Sequence, residues 1–165
     1  GLKEGFHEGV DFKTTNGDSV YSILPGEVVY AAKRGGYGNL LVIKHDNGTA
    51  SFYGHLSKFL VDKGDKIKDV NTPVAEAGST GAISGPHLHF EIRNYDASNV
   101  FKKYRGTEAN DKNAPWRLTF EWMNSNKSVL SFQSTSAYGD KKEEFDEIEE
   151  MITSGDFSKI KTGER

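Results

Sequence analysis

Four of the chain's five histidines fall in three short stretches, FHEGVDF at 6–12, SFYGHLS at 51–57 and GPHLHFE at 85–91. An imidazole with a reference pKa of about 6.5 carries protons near neutral pH and, when neutral, binds divalent cations. With no cysteine in the sequence, a metal here would be held by His, Asp or Glu. Metal binding and proton transfer are therefore the two chemistries that these residue types offer.

Spacing constrains how they could do so. His7 and Asp11 are four residues apart, roughly 13 Å in a straight strand at about 3.3 Å per residue, too far to share one ion. The segment must bend if both are ligands, and Gly9 between them permits a bend at no steric cost. His87 and His89 are two apart, so on a strand their side chains lie about 6.6 Å apart on one face. Such a pair can put both rings at one ion, or one on the ion and one beside it. His55 closes a strand just after Gly54. Each pattern by itself also fits ordinary solvated residues, and His45, beside a hairpin turn, reads as structural or solvated.

The elements that must position these groups are mostly strands. Eighteen glycines and few helical periodicities in the first two thirds favour short strands joined by tight turns. Strands are expected around Glu27 to Ala32, Asn39 to His45 and Thr49 to His55, with Asn47-Gly48 as the hairpin turn between the last two. A turn follows at Lys63 to Asp65. In HLHFEIRN, alternation sends His87, His89 and Glu91 to one face and Leu88, Phe90 and Ile92 to the other, one side core and the other polar. Tyr53, two before His55, would share its face and either line a groove or pack.

Residues 94–114 read as a connecting loop. After it, WRLTFEWMNSNKSVLSFQS reads as a β-hairpin with Leu118, Phe120 and Trp122 facing Leu130 and Phe132. DKKEEFDEIEEMITSGDF reads as an α-helix, with Asp140 and Glu143 as a capping box, Phe145, Ile148 and Ile152 on one face and Gly155 at its end. The length of 165 residues suits one core. A formal charge of −3 provides no basic field for a polyanion, so nucleic acid is not an expected partner. No apolar run approaches the roughly 18 residues of a membrane span.

Together, H-x-G-x-D at 7–11, Y-x-H-L-S at 53–57 and G-P-H-L-H-F-E at 85–91 resemble, in order and spacing, the lysostaphin-type (LytM-like) zinc metallopeptidases. GDSVYSILPGEVVYA, GGYGNLLVIKHDNG and KGDKIKDVNTPVAEAGSTG resemble the connecting pieces, so the likeness covers about residues 5 to 93. It implies a mainly β fold, an antiparallel β-sheet metallopeptidase domain with a groove over 1–93. It also implies one Zn²⁺, and endopeptidase activity on the peptides of bacterial peptidoglycan outside the cytoplasm. By motif, His7, Asp11 and His89 correspond to the metal ligands and His55 and His87 to the catalytic histidines; spacing alone does not say which of His87 and His89 meets the metal. Zinc with three protein ligands keeps a position for water, whose pKa falls to about 7, and it polarises the scissile carbonyl.

Glu91 is either an acceptor that orients a ligand imidazole or an exposed strand glutamate. Family domains carry a further strand and loop before the first motif, whereas six residues precede His7 here. A separate N-terminal segment or a regulatory partner is therefore expected to complete the groove. The C-terminal hairpin and helix, 115–165, match nothing in that family and are expected to pack on or beside the core. The alternative function is a non-catalytic cell-wall-binding or regulatory domain of the same fold. A lipoyl-like β-domain, the third reading, leaves the histidines unexplained.

Overall fold

A computed structural model describes residues 10–81, 85–102, 118, 119 and 121, with backbone alone for 10, 11 and 13. Its strands are β1 (Val10–Lys13), β2 (Ser19–Val20), β3 (Gly26–Lys33), β4 (Asn39–Lys44), β5 (Thr49–Phe59), β6 (Lys66–Ile67), β7 (Ala75–Ala77) and β8 (His87–Asn94). A single 3-10 turn, Gly35–Tyr37, joins β3 to β4. Among the described residues no helix is long and apolar enough to cross a membrane.

All pairings are antiparallel, in the order β1-β8-β5-β4-β3-β6, with β7 bridging β2 and β5. The mainly β reading of the sequence is what the fold shows. The β4–β5 hairpin turns at Asn47-Gly48, where Gly48 takes φ 85° and the Asn47 side-chain oxygen accepts from the Thr49 amide at 3.0 Å.

Both faces of the sheet are covered. On one, Phe12, Val28, Leu41, Ile43, Tyr53, Leu88, Phe90 and Ile92 form the main core. On the other, Leu40, Val42, Ala50 and Phe52 pack with Tyr37 beneath Tyr95, Val100 and Phe101. Residues 95–102 are irregular, as a connection should be, but they fold back as a strap on this second face. Full burial of a large apolar side chain contributes about 1.5–3 kcal/mol, and the half-buried Tyr95, Val100 and Phe101 each hold the strap by a part of that. The face of β8 expected to be polar is polar in composition yet buried, since His89, Glu91 and Arg93 are all shielded from solvent.

One expectation is corrected at the C-terminal side. Leu118, Thr119 and Glu121 are helical, where a hairpin strand was expected. Leu118 and Trp122, four apart, also share a face at helical spacing, so the short alternation fitted two periods. Leu118 packs against the main core and the Thr119 hydroxyl oxygen accepts the Ile92 amide at 2.7 Å. The remainder of the expected hairpin and the helix around Asp140 to Gly155 lie outside the described residues.

His45 anchors a buried relay across the sheet. The Ile23 amide donates to the Tyr53 hydroxyl (3.0 Å), which donates to Ser51 Oγ (2.8 Å). Ser51 in turn meets His45 Nε2 at 2.8 Å, and His45 Nδ1 meets the Pro25 carbonyl at 2.9 Å. A carbonyl only accepts, so Nδ1 carries the proton and neutral Nε2 accepts from Ser51. Burial pushes the Tyr53 phenol up to about 12 despite its hydrogen bonds, which keeps it a donor at physiological pH. Burial likewise pushes His45 below its ordinary 6.5, against the upward pull of the Pro25 carbonyl and Asp46.

As pH falls, the unfolded chain therefore takes up this proton first. The stability due to neutral His45 is full above about pH 6.5 and is lost as pH falls towards the folded-state value. The urea midpoint of the unaltered chain should drop between pH 7 and pH 5, and the drop should be shallower in His45→Gln. An identical slope in the two proteins would show that His45 titrates alike in both states.

Candidate metal and catalytic site

Strand β8 sets the first half of the site by simple alternation. His87, His89 and Glu91 point to the face opposite Leu88, Phe90 and Ile92, as the sequence pattern requires. In the β1–β8 register Asp11 stands directly opposite His89, and Lys13 opposite His87. Directly opposed positions in an antiparallel pair have Cβ atoms about 4.5–5.5 Å apart, a spacing at which two residues can serve one ion.

The second half depends on an irregularity in β5. Tyr53 pairs with Leu41 and Leu56 with Asn39, so β5 carries one more residue than β4 over that interval. His55 lies in this bulge at φ 62°, the one non-glycine residue with positive φ among those described. Histidine visits this region more readily than most residues, yet the conformation costs on the order of 1–3 kcal/mol. Its effect is to turn the side chain over. Tyr53 packs on Phe90 in the main core with ring centroids 5.6 Å apart, whereas the His55 ring lies on the other face. There it is 4.7 Å from the His87 ring and 6.0 Å from the His89 ring.

Gly54, between the two, stands opposite His89. A Cβ on it would lie 3.3 Å from both the His89 Cβ and the Tyr37 ring, so the missing side chain makes room for the close approach of those two groups.

Each ring is then fixed by a partner. His55 Nδ1 meets the Thr80 carbonyl at 2.8 Å and His87 Nδ1 meets the Gly85 carbonyl at 3.2 Å. Both neutral rings therefore carry hydrogen on Nδ1 and a lone pair on Nε2. Thr80 is itself tied down, its hydroxyl donating to the Leu56 carbonyl at 2.7 Å and accepting from the Asn39 amide at 3.1 Å.

His89 uses Nε2 instead, bonded to Glu91 Oε1 at 2.7 Å. A cation held by His89 would thus be bound through Nδ1. Glu91 is fully buried and accepts from the Tyr37 hydroxyl at 2.6 Å and Arg93 Nε at 2.8 Å. Burial pushes the Glu91 carboxyl up, but the Arg93 charge and the hydrogen bonds from His89 and Tyr37 outweigh it and hold the group well below the usual carboxylate range. The reading of Glu91 as an exposed strand residue is thereby excluded.

Of the residues singled out in the sequence, His55, His87, His89 and Glu91 come together. Tyr53 does not join them: the bulge separates its face from that of His55, and it packs in the core. His7 and the carboxylate of Asp11 lie outside the described residues. Among the described residues the expected ligand set contributes His89, and no three His, Asp or Glu side chains are grouped to hold a metal. A carboxylate on the far nitrogen of an imidazole is nonetheless the usual brace of a metal-binding histidine, so the donor chemistry fits zinc. Tyr37, Thr80 and Arg93 were not singled out from the sequence; they stand in or beside the family-like stretches, but only the fold brings them to the site.

Comparison with known proteins gives the family of this antiparallel sheet and its histidine cluster. The model of Peptidase family M23 matches residues 5–101, more than half of the sequence, and the chain belongs to that family. It is 45% identical over 86 residues to the peptidoglycan DD-endopeptidase ShyB of Vibrio cholerae, a match covering 52% of this chain and 20% of that protein. It is 39% identical over 94 residues to the murein hydrolase activator NlpD of Escherichia coli, covering 56% of this chain and 24% of that one. The catalytic domain of the antimicrobial peptidase lysostaphin from Staphylococcus simulans superposes with a TM-score of 0.53 at 30% identity, covering 62% of this chain and 88% of that domain. The chain thus spans about a fifth to a quarter of the length of these two curated relatives.

Long-range proton–nitrogen NMR above the histidine pKa values should find the Nδ1–H tautomer at both His55 and His87. Hydrogen on Nε2 of either ring would contradict the carbonyl contacts that orient them.

Proposed function

We propose that the chain is a zinc-dependent endopeptidase that hydrolyses amide bonds in the cross-links or stem peptides of bacterial peptidoglycan, outside the cytoplasm. The observation that carries this reading is His55, held at positive φ in a bulge so that its ring meets His87 beside His89. Backbone strain of that kind persists where the surrounding structure over-determines it, and it clusters at active sites. Similarity to a protein named as a peptidoglycan DD-endopeptidase supports the substrate class.

In this reading His7, Asp11 and His89 hold Zn²⁺. Bound there, zinc supplies Lewis acidity that activates water and polarises the scissile carbonyl. The protein's own work is orientation and proton transfer. Glu91 holds the His89 ring by Nε2, which fixes the direction of its other nitrogen. His55 and His87, each with Nδ1–H on a carbonyl, present basic Nε2 atoms that can take a proton from water and deliver one to the departing amine. With their rings 4.7 Å apart, a positive charge on one would oppose a second on the other.

The second reading is a non-catalytic cell-wall-binding or regulatory domain, and it draws on the similarity to a murein hydrolase activator. The presence of all five motif residues in the sequence favours the enzyme.

Metal analysis combined with cell-wall digestion separates the two. The unaltered chain should contain zinc and release soluble fragments from purified walls of defined cross-link chemistry, and chelation should stop the release. His55→Ala and His87→Ala should each lower turnover by about 10²- to 10⁴-fold while keeping zinc, whereas His89→Ala should lose the metal. Release that ignores chelation would overturn the zinc mechanism, and zinc without cleavage on any wall would favour the regulatory domain.

A further inference from the structure

Behind His89 the second face of the sheet holds a continuous buried polar chain. Glu91 Oε1 accepts from both His89 Nε2 and the Tyr37 hydroxyl, at 2.7 and 2.6 Å. Its other oxygen, Oε2, accepts from Arg93 Nε at 2.8 Å. Arg93 Nη2 donates to the Tyr37 hydroxyl at 3.1 Å, closing a ring of three side chains. Arg93 Nη1 reaches the Lys102 carbonyl at the end of the strap, and the guanidinium lies 4.6 Å above the Phe52 ring. Tyr37 touches the imidazole as well as the carboxylate, its ring edge-on to His89 at 5.5 Å.

We infer that Arg93 and Tyr37 are positioning residues for His89, acting through Glu91 to fix the orientation of its ring and strengthen it as a metal ligand. The inference rests on the zinc reading above and extends it to residues beyond the five to which that reading gives a role. Stability alone does not call for this arrangement, because a buried ion pair is often replaced by apolar side chains at no loss. Its geometry is directed instead. The carboxylate oxygen that meets the imidazole is shared with the tyrosine, and the arginine fork occupies the other oxygen and the tyrosine together.

A carboxylate so fixed has one way to meet His89 Nε2, and its charge raises the basicity of the opposite nitrogen. Because the same arginine holds the Lys102 carbonyl, the seating of the 95–102 strap and the aim of the ligand are coupled. The strap thereby supports the site through the Arg93 guanidinium.

Zinc affinity of the full chain, measured by competition with a chromophoric chelator, tests this beside the thermal midpoint of the apo form. Tyr37→Phe should weaken zinc binding by about 10- to 100-fold, with a fall in midpoint smaller than that of Arg93→Met because Glu91 keeps its cation. Arg93→Met alone leaves a buried carboxylate without its cation and should lower both. The double variant Glu91→Gln/Arg93→Met removes both charges, so it should regain the midpoint while its zinc affinity stays low. A return of affinity along with stability in the double variant would make the network merely structural and overturn the inference. Unchanged affinity in Tyr37→Phe would remove Tyr37 from it. Failure of the unaltered chain to bind zinc would overturn the zinc reading and this inference with it, an outcome distinct from equal affinity in all variants.

Discussion

Strand β8 has almost no solvent face. From Leu88 to Arg93 every residue is buried, with the main core on one side and, on the other, the Tyr37 and His55 rings beside His89 and the Lys102 carbonyl on Arg93. A strand so enclosed is ordinarily a run of Val, Ile and Leu, whereas this one carries an imidazole, a carboxylate and a guanidinium on alternate positions. Unpaired buried charge costs several kcal/mol, so those three groups must satisfy one another. Most of the site's geometry follows from that requirement. His89 meets Glu91, Glu91 meets Arg93, and Arg93 holds the segment that closes the face.

Strand β5 contributes the opposite kind of device. Where β8 is regular, β5 is broken by one extra residue. Without that residue His55 would point with Tyr53 into the main core, and the cluster would lose its third ring. The bulge changes the face of one side chain while Gly54 leaves space for His89 and Tyr37 across the strand. Thr80 then fixes the turned ring through its carbonyl, and its hydroxyl ties the same loop to β4 and β5.

Much of this was legible in the sequence, for identifiable reasons. The strands around Glu27, Asn39 and Thr49, the Asn47-Gly48 turn and the common face of His87, His89 and Glu91 follow from local alternation and turn chemistry, which the fold obeys. The burial of Glu91 was not legible, because alternating polar residues look the same whether solvent or other side chains, here Tyr37 and Arg93, cover them. Tyr37 and Arg93 were missed because Tyr37 meets Glu91 and Arg93 across 54 and 56 positions, and local pattern does not say which distant residues meet. The face of Tyr53 was misjudged because a period of two assumes a regular strand. At Leu118 to Glu121 a short alternation was compatible with both strand and helix, and packing on the core decided for helix.

The hydroxyl of Thr119 on the Ile92 amide has a consequence for how the sheet meets other chains. A strand margin with open amides is a template on which any extended segment can continue the ladder. A side-chain oxygen satisfies the donor without offering the next acceptor in the series, so hydrogen bonding terminates there. Beyond Phe90, the last residue of β8 paired with the described part of β1, the Ile92 amide is satisfied in this way by a residue more than twenty positions further along the chain.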